Sequence, residues 1–289
     1  MGFVQITHAT YEDIYDKIKL AIEGGGNFDI DDGENIVIKI NLCDFRMPET
    51  GAVTHPVFLD ATLDYLRSSF ERLKIFVVES DATIARPDLL IRWLGFKPVL
   101  EKYDAKYVNL TKEKTTKMPI KGRFFQELKV PNIIVDSDYF ISMAKLKTCL
   151  LTKISCSLKN QFGCIPIPRK VKFHTNLDDV IVDANLAMRP NYCIVDGIVG
   201  MGGVKGPDMG KPIKSNVVVT GKDPVSVDSV CAKIMGFNPY FVGHIRKAQE
   251  AGIGRMTSKI IGEDLKLIKK NFEFNYFYAR IIKAVMSLK

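Results

Sequence analysis

Short bursts of apolar residues recur along this chain, and between them apolar positions return every three or four residues. Asn35 to Leu42 (NIVIKINL), Lys74 to Glu79 (KIFVVE), Lys106 to Leu110, Asp138 to Ala144 (DYFISMA), Tyr192 to Val195 and Asn216 to Thr220 carry the first pattern and predict strands. Ile14, Ile18 and Ile22 form a stripe with a spacing of four, which predicts a helix over Thr10 to Glu23. Thr10 and Asp13 resemble its capping box, and Gly24-Gly25-Gly26 ends it. Further helices are expected from Pro56 to about Phe70, Asp88 to Leu94, Thr152 to Phe162, Asn176 to Met188, and Asp223 to Met235. Pro56 and Pro224 stand at first-turn positions, where proline is tolerated, and Asn176 is a plausible cap. Strands that alternate with helices at this spacing predict an α/β fold with a largely parallel sheet flanked by helices.

Two segments depart from that rhythm. The run KEKTTKMPIKGR at 112–123 reads as an excursion or hairpin at the sheet edge. From Ser258 the chain reads as a helical extension, with Phe272 to Leu288 an aromatic-rich helix expected to dock on the domain. A dimer contact or a membrane-surface helix is the alternative use of that helix. The expected division is an α/β domain over residues 1–255 and a C-terminal helical extension over 256–289.

Composition narrows the classes. The chain has 289 residues, 46% hydrophobic and 26% charged, as in an ordinary globular protein with a substantial core. No stretch reaches the ~20 uncharged apolar residues of a membrane span. The opening MGFVQITHATYED has no basic region leading into an apolar run, so no secretory signal is expected, and the cytoplasm is the expected location. The formal charge of +8 comes from widely spread lysines, and the densest basic run has no interleaved aromatics for base stacking. A field that steers small anions into a cleft therefore fits better than a nucleic-acid surface. Six cysteines occur with no Cys-x-x-Cys pair, so neither a zinc ribbon nor a ferredoxin-type iron–sulfur cluster is expected. Cys149, Cys156 and Cys164 are the nearest group and the remaining candidate metal ligands.

The chemistry concentrates in residues 144–165, AKLKTCLLTKISCSLKNQFGCI. A strand is expected to end there, with Lys145 and Lys147 at its end and Lys159 with Asn160 in the helix that follows. Open α/β sheets place ligands at strand ends. Lys39 and Asn41 fall near the end of the first predicted strand. His55, before a helix, and His174, after PIPRKVKF, are the histidines able to act as base or metal ligand near neutral pH. The glycine-rich loop predicted over 196–212, with Gly202 and Gly203, offers backbone N–H groups to an anion. Glu79, Asp81, Asp196, Asp183 and Asn185 are a weaker cation set, because Asp183 and Asn185 are two apart on a predicted helix.

AKLKTC followed by SLKNQFGCIP resembles the family of the domain of unknown function 362, whose usual pattern is Pro-Lys-Leu-Lys-Thr-His and then Leu-Lys-Asn-x-Phe-Gly. KINL at 39–42, THP at 54–56, ESD at 79–81, DANLAMRP at 183–190, DGIVGMGG at 196–203 and GKDPVSVD at 221–228 match in the family's order, over about Lys39 to Pro239. Ala144 stands where the family has Pro and Cys149 where it has His. The resemblance is to a short form, since longer members carry a ferredoxin-like cysteine cluster. It also implies a fold similar to the nickel-pincer lactate racemase group. The function expected is the binding of a small anionic metabolite, a carboxylate or phosphate, in a Lys/His/Gly-lined cleft. The reaction would be an unassigned one, with proton or hydride transfer next to a carboxylate as the analogy. Lys147, Lys159, His55 and His174 are the expected catalytic groups, and Lys39, Asn41, Lys145, Asn160, Gly202 and Gly203 the binding groups. The alternatives are an iron–sulfur or metal-binding electron-transfer protein and, further off, a nucleic-acid-binding module. An oligomer formed through the C-terminal helix is compatible with all of these.

Overall fold

The computed structural model describes residues 2–203, 210–274, 277–279 and 281–282. The chain begins with β1 (Phe3–His8), α1 (Ile14–Gly24), β2 (Asn35–Lys39), α2 (Pro56–Ser69), β3 (Lys74–Glu79), α3 (Pro87–Trp93), α4 (Phe96–Lys102) and β4 (Lys106–Asn109). A small hairpin of β5 (Thr115–Pro119) and β6 (Glu127–Pro131) follows, then α5 (Asn132–Val135), β7 (Tyr139–Cys149), β8 (Lys153–Ser155) and α6 (Ser157–Phe162). The last third holds α7 (Leu177–Ala187), β9 (Tyr192–Gly202), β10 (Lys211–Gly221), α8 (Pro224–Ile234), α9 (Gly243–Glu250), β11 (Lys259–Gly262) and α10 (Leu265–Ile268).

The main sheet runs β11-β1-β10-β9-β7-β2-β3-β4, with β8 beside β7. β9, β7, β2, β3 and β4 are mutually parallel, as is β11 with β1, while β10 is antiparallel to both its neighbours. The fold is α/β with a mixed, mostly parallel sheet. Its central strands are covered on both faces, which is why their sequences are nearly continuous apolar runs. β7 shows the two faces cleanly. Phe140, Ala144 and Leu146 join the core beneath α6, α7 and α8. Tyr139, Ile141 and Met143 join the core beneath α1 and α2.

Four sequence expectations are corrected. β1 was not expected, although Val4, Gln5, Ile6 and Thr7 are buried between β10 and β11. β7 does not end at Ala144; it continues through both lysines to Cys149 with every residue buried. The stretch 196–212 is not one glycine loop, because Asp196 to Gly202 belong to β9 and Lys211 and Pro212 to β10. Gly202 packs so closely there that an added Cβ would strike the Ile213 side chain. Residues 204–209 lie outside the described residues. Finally, Lys259–Gly262 is a strand rather than a helix, held parallel against Phe3 to Ile6. Much of the predicted helix Phe272 to Leu288 falls outside the described residues.

The sheet order fixes where a ligand site belongs. From β2 the chain steps outward to β3 and β4, then returns to the other side of β2 to form β7 and later β9. The order therefore reverses between β2 and β7. In open α/β sheets, ligands bind outside the C-terminal ends of the strands at such a reversal.

Candidate functional site

A cleft of about 150 Å³ opens at that reversal. Its polar lining comes from the end of β2 (Lys39, Asn41), the end of β3 (Glu79, Ser80), β7 (Lys147, Cys149), α6 (Lys159, Asn160) and the 3₁₀ segment Lys170–Asn176 (Lys170, His174). Of the sequence candidates, Lys39, Asn41, Lys147, Lys159, Asn160, His174 and Cys149 meet here. Lys145, His55, Gly202, Gly203, Cys156 and Cys164 do not line it.

Strand alternation sends the lysines in different directions. Lys39 shares the face of Val37, toward α6, and its ammonium lies 2.8 Å from the Glu79 carboxylate. Lys39 Nζ also donates to the Ile40 carbonyl at 2.7 Å and to Asn160 Oδ1 at 3.2 Å. Lys147, on the opposite face of the sheet, donates to Asn41 Oδ1 at 2.6 Å and the Ala52 carbonyl at 2.7 Å, and lies 3.1 Å from Cys43 Sγ. Asn160 works as a strut. Its amide donates to the Lys39 carbonyl, Ser142 Oγ and the Met143 carbonyl, tying the end of β2 to β7.

Lys170 was missed by the sequence reading. It is 7% exposed, and its Nζ donates to Ser80 Oγ at 2.7 Å and the Asp81 carbonyl at 2.9 Å. Burial pushes its pKa down to about 8, with Glu79 opposing and Lys39 reinforcing the shift. The sequence signal was too weak to single it out, since Arg169 and Lys172 beside it are exposed. Lys159 is half-buried, and its Nζ lies 5.9 Å from the Phe162 ring centroid. Among the described residues it has no hydrogen-bond or ion-pair partner. Burial and the Lys159 charge hold the His174 pKa below the ordinary imidazole value, which favours the neutral ring. Burial raises the Cys149 thiol, but Lys159 and Thr152 outweigh it and leave the pKa below the usual value.

The cleft's electrostatics follow. Among these groups, Glu79 is the carboxylate that pairs directly with a cleft lysine, and it pairs with Lys39. Lys147 and Lys170 are buried on neutral acceptors, and Lys159 has none. Three lysines thus line a cleft whose carboxylate, Glu79, is already bound to Lys39.

The other candidates form separate arrangements. Lys145 and Asp196, paired across β7 and β9, lie 2.6 Å apart with fully buried side chains. Tyr11 OH donates to Asp196 and accepts from Lys145 Nζ at 2.9 Å, and the His55 ring stacks on Tyr11 at 3.9 Å. His55 Nδ1 accepts from the Val57 amide, so it caps α2. Burial lowers its pKa, with Asp196 opposing. Asp183 is not a cation ligand: its carboxylate accepts the amides of Arg123, Phe124 and Phe125 at 2.7–2.8 Å and pins the turn between β5 and β6. Asn185 donates to the Leu158 carbonyl. Asp228 accepts the Ser157 and Leu158 amides at the start of α6, with the buried His244 beside it at 3.9 Å. Among the described residues, no group of three or more His, Cys, Asp or Glu side chains is placed to hold a metal ion.

The family model for the domain of unknown function (DUF362) matches residues 36–233, which span the cleft and most of the sheet. The chain belongs to this family. Within and beyond the DUF362 region, it is 22% identical to a thylakoid-associated protein of Synechocystis sp., over 90% of this chain and 88% of that protein. Among solved structures it is similar to the lactate racemase apoprotein from Thermoanaerobacterium thermosaccharolyticum, with a TM-score of 0.43 and 13% identity. That alignment covers 81% of this chain, which spans only 57% of the racemase chain.

Proposed function

We propose that this DUF362 protein binds a small anionic metabolite, a carboxylate or phosphate, in the cleft between β2 and β7 and acts on it as an enzyme. The observation that carries the reading is the set Lys147, Lys159 and Lys170, three cations on one cleft with neutral partners or none. Burying an uncompensated ammonium is costly unless a counter-charge arrives. A bound anion supplies it, with charge-assisted hydrogen bonds from each lysine. Asn41 adds a neutral polar group at one wall, and His174, held toward its neutral form, can take or return a proton. The cytoplasm remains the proposed location. Its supports are six free cysteines and, among the described residues, no helix long and apolar enough to cross a membrane.

Thermal melting with inorganic phosphate and with a series of short mono- and dicarboxylates tests the reading. A ligand that binds only the folded state raises Tm by mass action. Lys159→Met keeps the apolar stem and removes a charge that no described group compensates. The variant should melt with the parent when no anion is present and lose the anion-dependent rise. If no anion raises Tm, or if the variant melts far below the parent without ligand, Lys159 is structural and the reading fails.

A further inference from the structure

Lys170 differs from the other cleft lysines in a way that suggests chemistry rather than charge alone. Lys147 Nζ meets three acceptors, whereas Lys170 Nζ meets two, Ser80 Oγ and the Asp81 carbonyl, both neutral. The charges that act on it most are Glu79, already paired with Lys39, and Lys39 itself. A neutral amine has two hydrogens and one lone pair. Ser80 and Asp81 take the two hydrogens, which leaves the lone pair for a molecule in the cleft. Desolvation beside a second cation is a recognised route to a nucleophilic lysine. With a pKa of about 8, the free-amine fraction near neutral pH is on the order of a hundredfold above that of an ordinary lysine.

The cleft also limits the ligand. Its 150 Å³ matches an apolar cavity known elsewhere to hold a benzene-sized molecule, about six heavy atoms. Lys147 and Lys159 supply two charges for a carboxylate on the same cleft that Lys170 lines.

We propose that Lys170 is a catalytic nucleophile that forms an imine with a short 2-oxo acid, whose carboxylate is held by Lys147 and Lys159. This rests on the anion-binding reading above. The Nζ lone pair adds to the carbonyl carbon, and the carbonyl π pair moves to oxygen. A proton passes from nitrogen to that oxygen, and protonation with loss of water then gives the imine. One C–N double bond replaces one C–O double bond, water leaves, and nothing is oxidised or reduced. The protonated imine acidifies the adjacent carbon, and His174 is the neutral base on the same cleft.

The test treats the full chain with pyruvate and sodium cyanoborohydride, which reduces an imine to a stable secondary amine, and maps the adduct by peptide mass spectrometry. One adduct on Lys170 is expected, formed well ahead of any exposed lysine, suppressed by inorganic phosphate and weakened in Lys159→Met. Mapping in the parent protein identifies the site without a variant, and Lys170→Arg, checked for parental melting, should abolish it. Labelling spread over exposed lysines, or no labelling, overturns the proposal. If phosphate still raises Tm in that case, the anion cleft stands and only the nucleophile falls. If Lys170 is labelled while no anion raises Tm, the nucleophile stands and the broader anion reading falls.

Discussion

The Lys39 ammonium lies 2.8 Å from the Glu79 carboxylate, with the two side chains 1% and 5% exposed. Glu79 does more than pair: its second oxygen accepts the Leu42 amide at 2.9 Å and so holds the chain as it leaves β2. Removing one partner of a buried pair strands the other charge, at a cost of about 3–5 kcal/mol. Glu79→Gln should lower the free energy of unfolding by that order, measured by urea denaturation. Because it also removes the cleft's opposing charge, inorganic phosphate should restore more stability to the variant than to the parent. Equal phosphate responses would show that Glu79 does not face the ligand's field.

Lys145 and Asp196 are a second buried pair, locked by Tyr11. Lys145→Met and Asp196→Asn should each destabilise by roughly 3–5 kcal/mol, since each leaves a buried charge unanswered. The double variant should lose less than the sum, because with both groups neutral no buried charge is left without its partner. A double-mutant cycle from urea unfolding measures the coupling. Strict additivity would mean the ion pair contributes nothing.

Burial pushes the Asp228 carboxyl up to about 7, against the backbone bonds from Leu158 and Ser157. An unfolded aspartate titrates near 3.9. Between about pH 4 and 7 the native state therefore holds a proton that the unfolded chain has released, so this group makes stability fall as pH rises through that window. Asp228→Asn should gain stability relative to the parent over the same interval. Subtracting the two pH profiles cancels His55 and His174, whose lowered values act in both proteins. A flat difference would refute the assignment.

Gly51 has φ of 75°, and a Cβ there would collide with the carbonyl of Gly200. The next residue, Ala52, supplies the carbonyl that accepts from Lys147. Gly51→Ala combines a left-handed backbone with a backbone clash, and strain alone costs about 1–3 kcal/mol. We expect a lower Tm together with weaker phosphate binding, read by calorimetry. A variant with a lower Tm and parental affinity would show that the Ala52 carbonyl does not hold Lys147 in place.

The α/β rhythm and most helix bounds were legible because apolar periodicity reports burial directly. α2, α7 and α8 fall within a residue or two of their predicted ends, and the Asp223 cap donates no ambiguity: its carboxylate accepts the Val225 and Ser226 amides. The continuation of β7 was hidden because Lys145 and Lys147 look like solvent-facing residues, and only their long-range partners make burial tolerable. The strand character of Asp196 to Gly202 was hidden because glycine weakens strand propensity. Here Gly200 and Gly202 sit where Phe272 and Ile213 pack against the backbone. Lysines and Asn160 of the 144–165 block led to the cleft, whereas Lys170, in a basic run, had no pattern to separate it from its exposed neighbours.

The partners of the β7 lysines are far away along the chain. Lys145 reaches Tyr11, 134 residues earlier, and Asp196, 51 residues later, while Lys147 reaches Asn41, 106 residues earlier. The bonds to Tyr11 and Asn41 join the two halves of the chain. The ammonium groups cannot be buried until the N-terminal and C-terminal parts have met on β7, and such non-local closure slows folding. A fragment, or a chain still emerging from the ribosome, would expose this strand with its charges hydrated. The burial of β7 is thus conditional on contacts that span most of the sequence.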